Sequence, residues 1–340
     1  MDGGIAVPKG QTRRSSTATA GSRGASAMRL GVATVRQRTL KRAIPCSGIG
    51  LHSGLEVNMV LHPAEAGSGI VFRRTDISEA DGRDPIVPAL WDRVVDTTLC
   101  TRIANDDGVS IGTIEHLMAA LAGAGIDNAV IDIDGPETPV MDGSSEPFGF
   151  LISCAGVVEQ SAVRNAIRVL KPIQIGDAER GIRLEPTDGF SVSMTIDFPS
   201  SAIGRQEMHL DLEDGVFADE LARARTFGFV SDLEKMRAAG LARGASLENA
   251  VAVDGDEIVN EGGLRYEDEF VRHKILDCVG DLYLAGAPLH ARVVGSASGH
   301  RLNNDVLRAL FEAEDSWVLE PMAQGGLGFA LPARSAAASA

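Results

Sequence analysis

The sequence predicts a mixed helix-and-strand protein built as two halves of similar topology, and three observations predict it. Runs with period-two alternation recur along the chain (Val57, Met59, Leu61, then Val192, Met194, Ile196, Phe198), which marks half-buried strands. Each run follows a similar tetrapeptide, Arg38-Thr-Leu-Lys41 or Arg168-Val-Leu-Lys171, and each closes on a proline, Pro63 or Pro199. Elsewhere apolar residues take helical spacing, above all from Glu267 to Gly286.

Composition bounds the rest. The 340 residues, 44% hydrophobic, suffice for one large or two ordinary domains. No run of about 18 apolar residues exists, so no membrane span is expected. A net charge of -15 argues against unspecific nucleic-acid binding, while a local Lys or Arg could still govern a pocket for a small anion. The four cysteines, Cys46, Cys100, Cys154 and Cys278, stand far apart without a CxxC. Neither a disulfide framework nor a thiolate zinc ribbon is supported; a reducing cytoplasm is the expected home, and a metal would need His and carboxylate ligands.

In chain order, residues 1–36 are Ser, Ala, Gly and Arg-rich without periodicity and read as a disordered extension, with Met28 a candidate start. The folded part opens at Gln37. Gly48-Ile-Gly50-Leu-His52-Ser-Gly54 lacks the strand and long helix of a dinucleotide site and reads as a tight turn, with His52 a structural hydrogen-bonder. Ser110 to Gly123 reads as a helix capped by Thr113, with Ile114, Leu117, Met118 and Leu121 as its core stripe and Glu115 and His116 off it. A strand at Ala129–Asp134 and a turn at Asp142-Gly143 follow. The domain boundary falls between Val157 and Ala166, giving a first domain over 37–160 and a second over 161–330, with a loose Ala and Ser-rich tail at 331–340.

In the second half, Arg223, Arg225, Thr226 and Phe227 form a basic patch beside an aromatic, whose plainest reading is a solvated face. Residues 230–262 read as a βαβ-like insert suited to a substrate lid or wall. The helix from Glu267 to Gly286, of about five turns, carries Ile275, Val279 and Leu282 on one face and His273, Asp277 and Asp281 every four residues on another. Alone, such a His/Asp pair is an ordinary surface ion pair. Gly280, costing roughly 1 kcal/mol against Ala inside a helix, signals a second backbone passing close to the polar side. Adjacent Glu115 and His116 offer a metal ligand beside a carboxylate base, a compact way to bind and deprotonate water. After a strand at Leu289–Val294, small residues precede His300, and a helix is expected from Asn304 to Ala313.

Together QRTL (Gln37 to Leu40), GIGLHSG (Gly48 to Gly54), TIEHL (Thr113 to Leu117), MDGSSEPF (Met141 to Phe148), RARTFGF (Arg223 to Phe229), EDEFVRHKILDCVGDLYL (Glu267 to Leu284) and SGHRLNN (Ser298 to Asn304) closely resemble the UDP-3-O-acyl-N-acetylglucosamine deacetylase family, zinc amidases of lipid A synthesis. The likeness runs from about Gln37 to Trp317, and Thr98 and Tyr266 depart from it. It implies an α+β fold of two domains, each packing helices on a sheet, with the site between them. It implies His116, His273 and Asp277 as zinc ligands, a donor set that iron(II) also suits. It further implies Glu115 as general base, Thr226 as oxyanion donor, His300 as the cationic partner of the leaving nitrogen, and Asp281 as the group holding His300. Lys274 would face the substrate diphosphate, Phe227 the sugar, and His52 is carried as a substrate-binding residue. The implied partner is a UDP-sugar acyl substrate, bound by a monomer. Two other classes remain: a nucleotide-sugar binding module with a structural metal, and a metal hydrolase of a different N-acetylated substrate.

Overall fold

A computed structural model of the chain describes residues 34–323. The first 33 residues of the expected extension and the 331–340 tail lie outside the described residues. Paired backbone is seen a few residues before Gln37, since Thr34 bridges Ala323 and strand Arg36–Leu40 pairs with Val157–Val163. That pairing also carries one strand across residue 160, where the sequence reading ended the first domain.

Two sheets carry the fold, and they repeat one topology. The first runs Ile44–Ile49, Glu56–Pro63, Ala129–Ile133, Ile70–Arg74, Ile86–Pro88, its successive pairings antiparallel, antiparallel, parallel, antiparallel. The second runs Ile173–Gly176, Gly181–Glu185, Leu289–Ser296, Phe190–Asp197, Arg205–Asp211, with the same four senses. Asn165–Val169 and Trp317–Pro321 extend it. A parallel pair needs a long crossover, and in each half that crossover holds an insertion and then a helix. The first insertion is the small sheet Val94–Asp96, Arg102–Ala104, Ser110–Ile111. Helix α1 (Glu115–Gly123) follows it, and α2 (Glu146–Ala155) comes after the central strand. The second insertion is Phe227–Phe229, helix α3 (Val230–Ala238), Val251–Asp254 and Glu257–Ile258. Then come α4 (Glu269–Tyr283), the central strand, and α5 (His300–Glu312).

Expected and observed elements differ in instructive ways. The repeated tetrapeptides do sit at equivalent places, just before the opening hairpin of each sheet. The alternating runs do not: among the five repeated strands of each sheet, Glu56–Pro63 is the second by sequence and Phe190–Asp197 the third, because alternation reports a buried face rather than a place in the strand order. Helix α1 is shorter than expected, and Thr113 does not cap it. Thr113 takes φ 56° and donates its hydroxyl to Glu137 Oε1 at 2.8 Å, leaving Ile114 at the helix start. All nine residues of α1 are buried, so no face of it is free for solvent. The α2 helix was not anticipated. The βαβ unit begins at Phe227, three residues before the expected insert, and α4 has 15 residues rather than five turns, ending at Tyr283, three residues before Gly286, which adopts φ 84°.

The two core helices pack against each other, and Gly280 sets how closely. A Cβ there would lie 2.0 Å from the Glu115 carbonyl oxygen and 3.1 Å from Ala119 N. Both contacts are backbone, so neither can swing away. Gly280→Ala is therefore expected to destabilise the protein by about 1–3 kcal/mol or more and to lower activity by displacing Glu115; a urea unfolding midpoint alongside kcat checks both.

Candidate active site

Each core helix carries half of the site. From α1 come Glu115 and His116, and from α4 come His273, Asp277 and Asp281, all five buried. The ligand atoms of His116, His273 and Asp277 lie within 4.8 Å of one another. Asp277 Oδ1 is 3.7 Å from His116 Nε2 and 3.3 Å from His273 Nε2. The two rings meet nearly at right angles with centroids 5.0 Å apart. His273 Nδ1 donates to the Ala224 carbonyl at 3.0 Å, which fixes the tautomer and leaves Nε2 as an acceptor facing the cluster.

The electrostatics suit a cation. Burial, with help from the charge of His273, pushes His116 down to about 3, and burial also lowers His273. Burial opposes the charge on Asp277, yet His273, Lys274, His300 and His116 together hold its carboxyl far below the usual range. Neutral imidazoles and an ionised carboxylate are the protonation states that a divalent metal requires. Asp277 Oδ2 accepts from Lys274 Nζ at 2.6 Å, whereas Asp277 Oδ1 and His116 Nδ1 are buried without a hydrogen-bond partner. An unpaired buried carboxylate oxygen is costly, and a cation bound between the three side chains would satisfy it.

Beside this cluster lies a second one of acid–base character. Glu115 Oε1 faces His300 Nε2 across 3.9 Å, and Glu115 Oε2 accepts the Thr101 backbone N–H at 3.0 Å. His300 Nδ1 donates to Asp281 Oδ2 at 2.8 Å. His300 is the first residue of α5, four residues ahead of the expected helix start, so the SGH turn aims its ring inward. Burial raises the pKa of Glu115, further helped by Asp281 and Asp277 against His300. For His300 burial acts to lower the pKa, but Asp281 and Glu115 outweigh it and hold the imidazole up at about 9.

The remaining expected residues stand around these groups. Lys274, expected to meet a diphosphate, places its ammonium on Asp277. Thr226 and Phe227 line a cavity of about 460 Å³ whose wall also includes His52, Leu99, Val251 and Met236. The Phe227 ring lies 6.3 Å from that of His273. His52 is buried, its Nδ1 accepts from Ala242 N at 3.3 Å, and its own N–H donates to Glu137. The solvated-face reading fails for Arg225. That side chain is buried on Glu269, with Nε to Oε1 at 2.8 Å and Nη2 to Oε2 at 3.0 Å, and so ties the chain before Thr226 to the start of α4. Sequence reasoning missed Thr101, Asn303 and the Ala224 carbonyl. Asn303 had a signal, one helical turn after His300 within SGHRLNN; Thr101 had none, standing 180 residues from the Asp281 it contacts.

Residues 37–312 match the family model LpxC, UDP-3-O-acyl N-acetylglycosamine deacetylase. The chain belongs to the LpxC family. It is 46% identical over 302 residues to the UDP-3-O-acyl-N-acetylglucosamine deacetylase of Shewanella pealeana, covering 87% of this chain and 97% of that protein. It is 51% identical over 287 residues to the protein of the same name from Acidithiobacillus ferrooxidans, covering 83% and 92%. The LpxC match spans the five repeated strands of both sheets and every residue of the two clusters. Among the described residues no helix is long and apolar enough to cross a membrane.

Proposed function

We propose that this chain is a zinc-dependent deacetylase that hydrolyses the acetamide of UDP-3-O-acyl-N-acetylglucosamine, releasing acetate and the free amine, a step of lipid A biosynthesis in the cytoplasm. The single observation that carries the mechanism is the juxtaposition of a buried two-His, one-carboxylate cluster with a Glu115–His300 pair 3.9 Å apart. His116, His273 and Asp277 would hold the metal, which when bound supplies Lewis acidity, polarising the acetamide carbonyl and lowering the pKa of a water towards ~7. A purely structural site would not need a carboxylate base beside it, which favours the enzyme over a binding module.

The chain's own groups do the remainder. Glu115, its charge destabilised by burial, accepts the proton of the attacking water. Thr226, on the cavity wall, donates to the oxygen that gains charge as the carbonyl becomes tetrahedral. His300 enters the reaction protonated, with Nδ1–H held by Asp281, and delivers its Nε2 proton to the nitrogen as the C–N bond breaks. Lys274 steadies Asp277 and keeps it ionised. The apolar cavity beside Phe227, walled by the insert, suits the acyl chain, which favours this substrate over a short N-acetylated one. We place the domain boundary at Arg164, between strands Val157–Val163 and Asn165–Val169, and take the protein to act as a monomer.

Incubating the zinc-loaded protein with UDP-3-O-acyl-N-acetylglucosamine should release one acetate per amine formed, and absence of both products would refute the proposal. The rate should be bell-shaped in pH. Glu115 must be ionised, so activity falls as pH drops through a pKa that burial raises and a bound cation draws back down. His300 must be charged, so activity falls as pH rises through about 9. A His300→Ala variant that kept the alkaline limb would overturn that assignment.

A further inference from the structure

The deacetylase reading names a base and an acid but leaves open what holds them at a working separation. They come from different helices, α1 and α5, and no backbone ladder joins them. Both are tied instead to Thr101, which stands just before the second strand of the small first insertion and touches Glu115 directly and His300 through Asp281. The Thr101 backbone N–H donates to Glu115 Oε2 at 3.0 Å, and its hydroxyl donates to Asp281 Oδ1 at 2.5 Å. Asp281 in turn receives His300 Nδ1–H at 2.8 Å and Asn303 Nδ2 at 2.9 Å on its other oxygen. Asn303 is itself fixed, its Oδ1 accepting from Ser298 Oγ at 2.9 Å. Thr101 is 1% exposed, and Asp281 2%, so water does not substitute for either bond.

We infer that Thr101 is a positioning residue that sets the gap between the proton acceptor and the proton donor: its amide orients Glu115, and its hydroxyl orients Asp281 and through it His300. The inference rests on the deacetylase reading. A carboxylate with four lone-pair sites can rotate when one donor is lost. Without the Thr101 hydroxyl, the Asp281 plane is held only from the His300 and Asn303 side, so the imidazole loses its fixed tilt towards Glu115. The amide half of the device persists in any variant except proline, so the hydroxyl can be tested alone. The local backbone supports such a role, because Leu99, two residues earlier, takes φ 62°, a conformation that turns the chain sharply into the site.

The test compares Thr101→Val, which keeps the shape and removes the hydroxyl, with Thr101→Ser, which keeps the hydroxyl. Groups that orient a reacting group through a hydrogen bond typically contribute 10–100-fold. Thr101→Val is expected to lower kcat by roughly that factor with KM and metal stoichiometry unchanged, and Thr101→Ser to recover kcat to within about 3-fold. An independent readout uses the protein without substrate: the downfield proton resonance of His300 Nδ1–H should persist in Thr101→Ser and shift or broaden in Thr101→Val. Equal kcat losses in both variants, or a loss confined to KM or to metal content, would mean a packing role and overturn the inference, as would an unmoved imidazole resonance in Thr101→Val. If the unmodified protein released no acetate, the deacetylase reading would fail while the resonance still reported on the Thr101 bond.

Discussion

Glu115→Gln is expected to reduce kcat by about 10²–10⁴-fold, roughly 3–5 kcal/mol of transition-state stabilisation, with metal content and unfolding midpoint nearly unchanged. The amide keeps an oxygen that can accept the Thr101 N–H, so the α1–α4 packing should survive, but it cannot take a proton from water. Burial makes the wild-type carboxylate a stronger base than an exposed one, and that gain vanishes with the charge. Adding Thr101→Val to Glu115→Gln should cost much less than the separate losses multiplied, since both act on one step. A Glu115→Gln enzyme with near-normal kcat would remove the base from the mechanism and leave the His300–Asp281 pair without its counterpart.

The second large effect concerns the metal. A strong chelator should abolish acetate release, and zinc should restore it; a parallel arm with iron(II) under reducing conditions decides which ion gives the higher rate, because two His and one carboxylate suit both. Binding to the folded state alone adds about 4 kcal/mol of stability at a thousand times the dissociation constant, so the chelated protein should also melt earlier. Asp277→Asn should lose the metal in elemental analysis and lose activity with it. It should also free Lys274, whose ammonium the carboxylate now holds at 2.6 Å. Full activity in a protein shown to be free of metal would sink the cluster as the catalytic centre.

The fold and site divide clearly by what a linear sequence can carry. On α4, His273, Asp277 and Asp281 were legible because the helical period itself puts them on one face. Gly280 was legible as a sign of a passing backbone, since a glycine inside a helix is costly without such a reason, and that backbone proved to be the one carrying Glu115. The basic patch was misread at Arg225, which looks solvent-facing until Glu269, 44 residues later, arrives to bury it, whereas Arg223 is exposed as expected. Lys274, expected to face a diphosphate, is seen in space to hold Asp277, its Nζ 2.6 Å from Oδ2, a contact that the i, i+3 spacing on α4 allows.

By itself, then, the sequence determined the chemical inventory, the helix faces, the motifs of the LpxC family and the weak echo between the two halves, because local periodicity and spacing survive in one dimension. Only the tertiary structure decided that the two sheets share one strand order, that α1 and α4 press Glu115 and His116 against His273 and Asp277, and that Thr101 bridges Glu115 and Asp281. Those contacts join residues as far as 180 positions apart. They are set by packing of buried helices and by hydrogen bonds between groups no local pattern connects, and chain order carries no record of them.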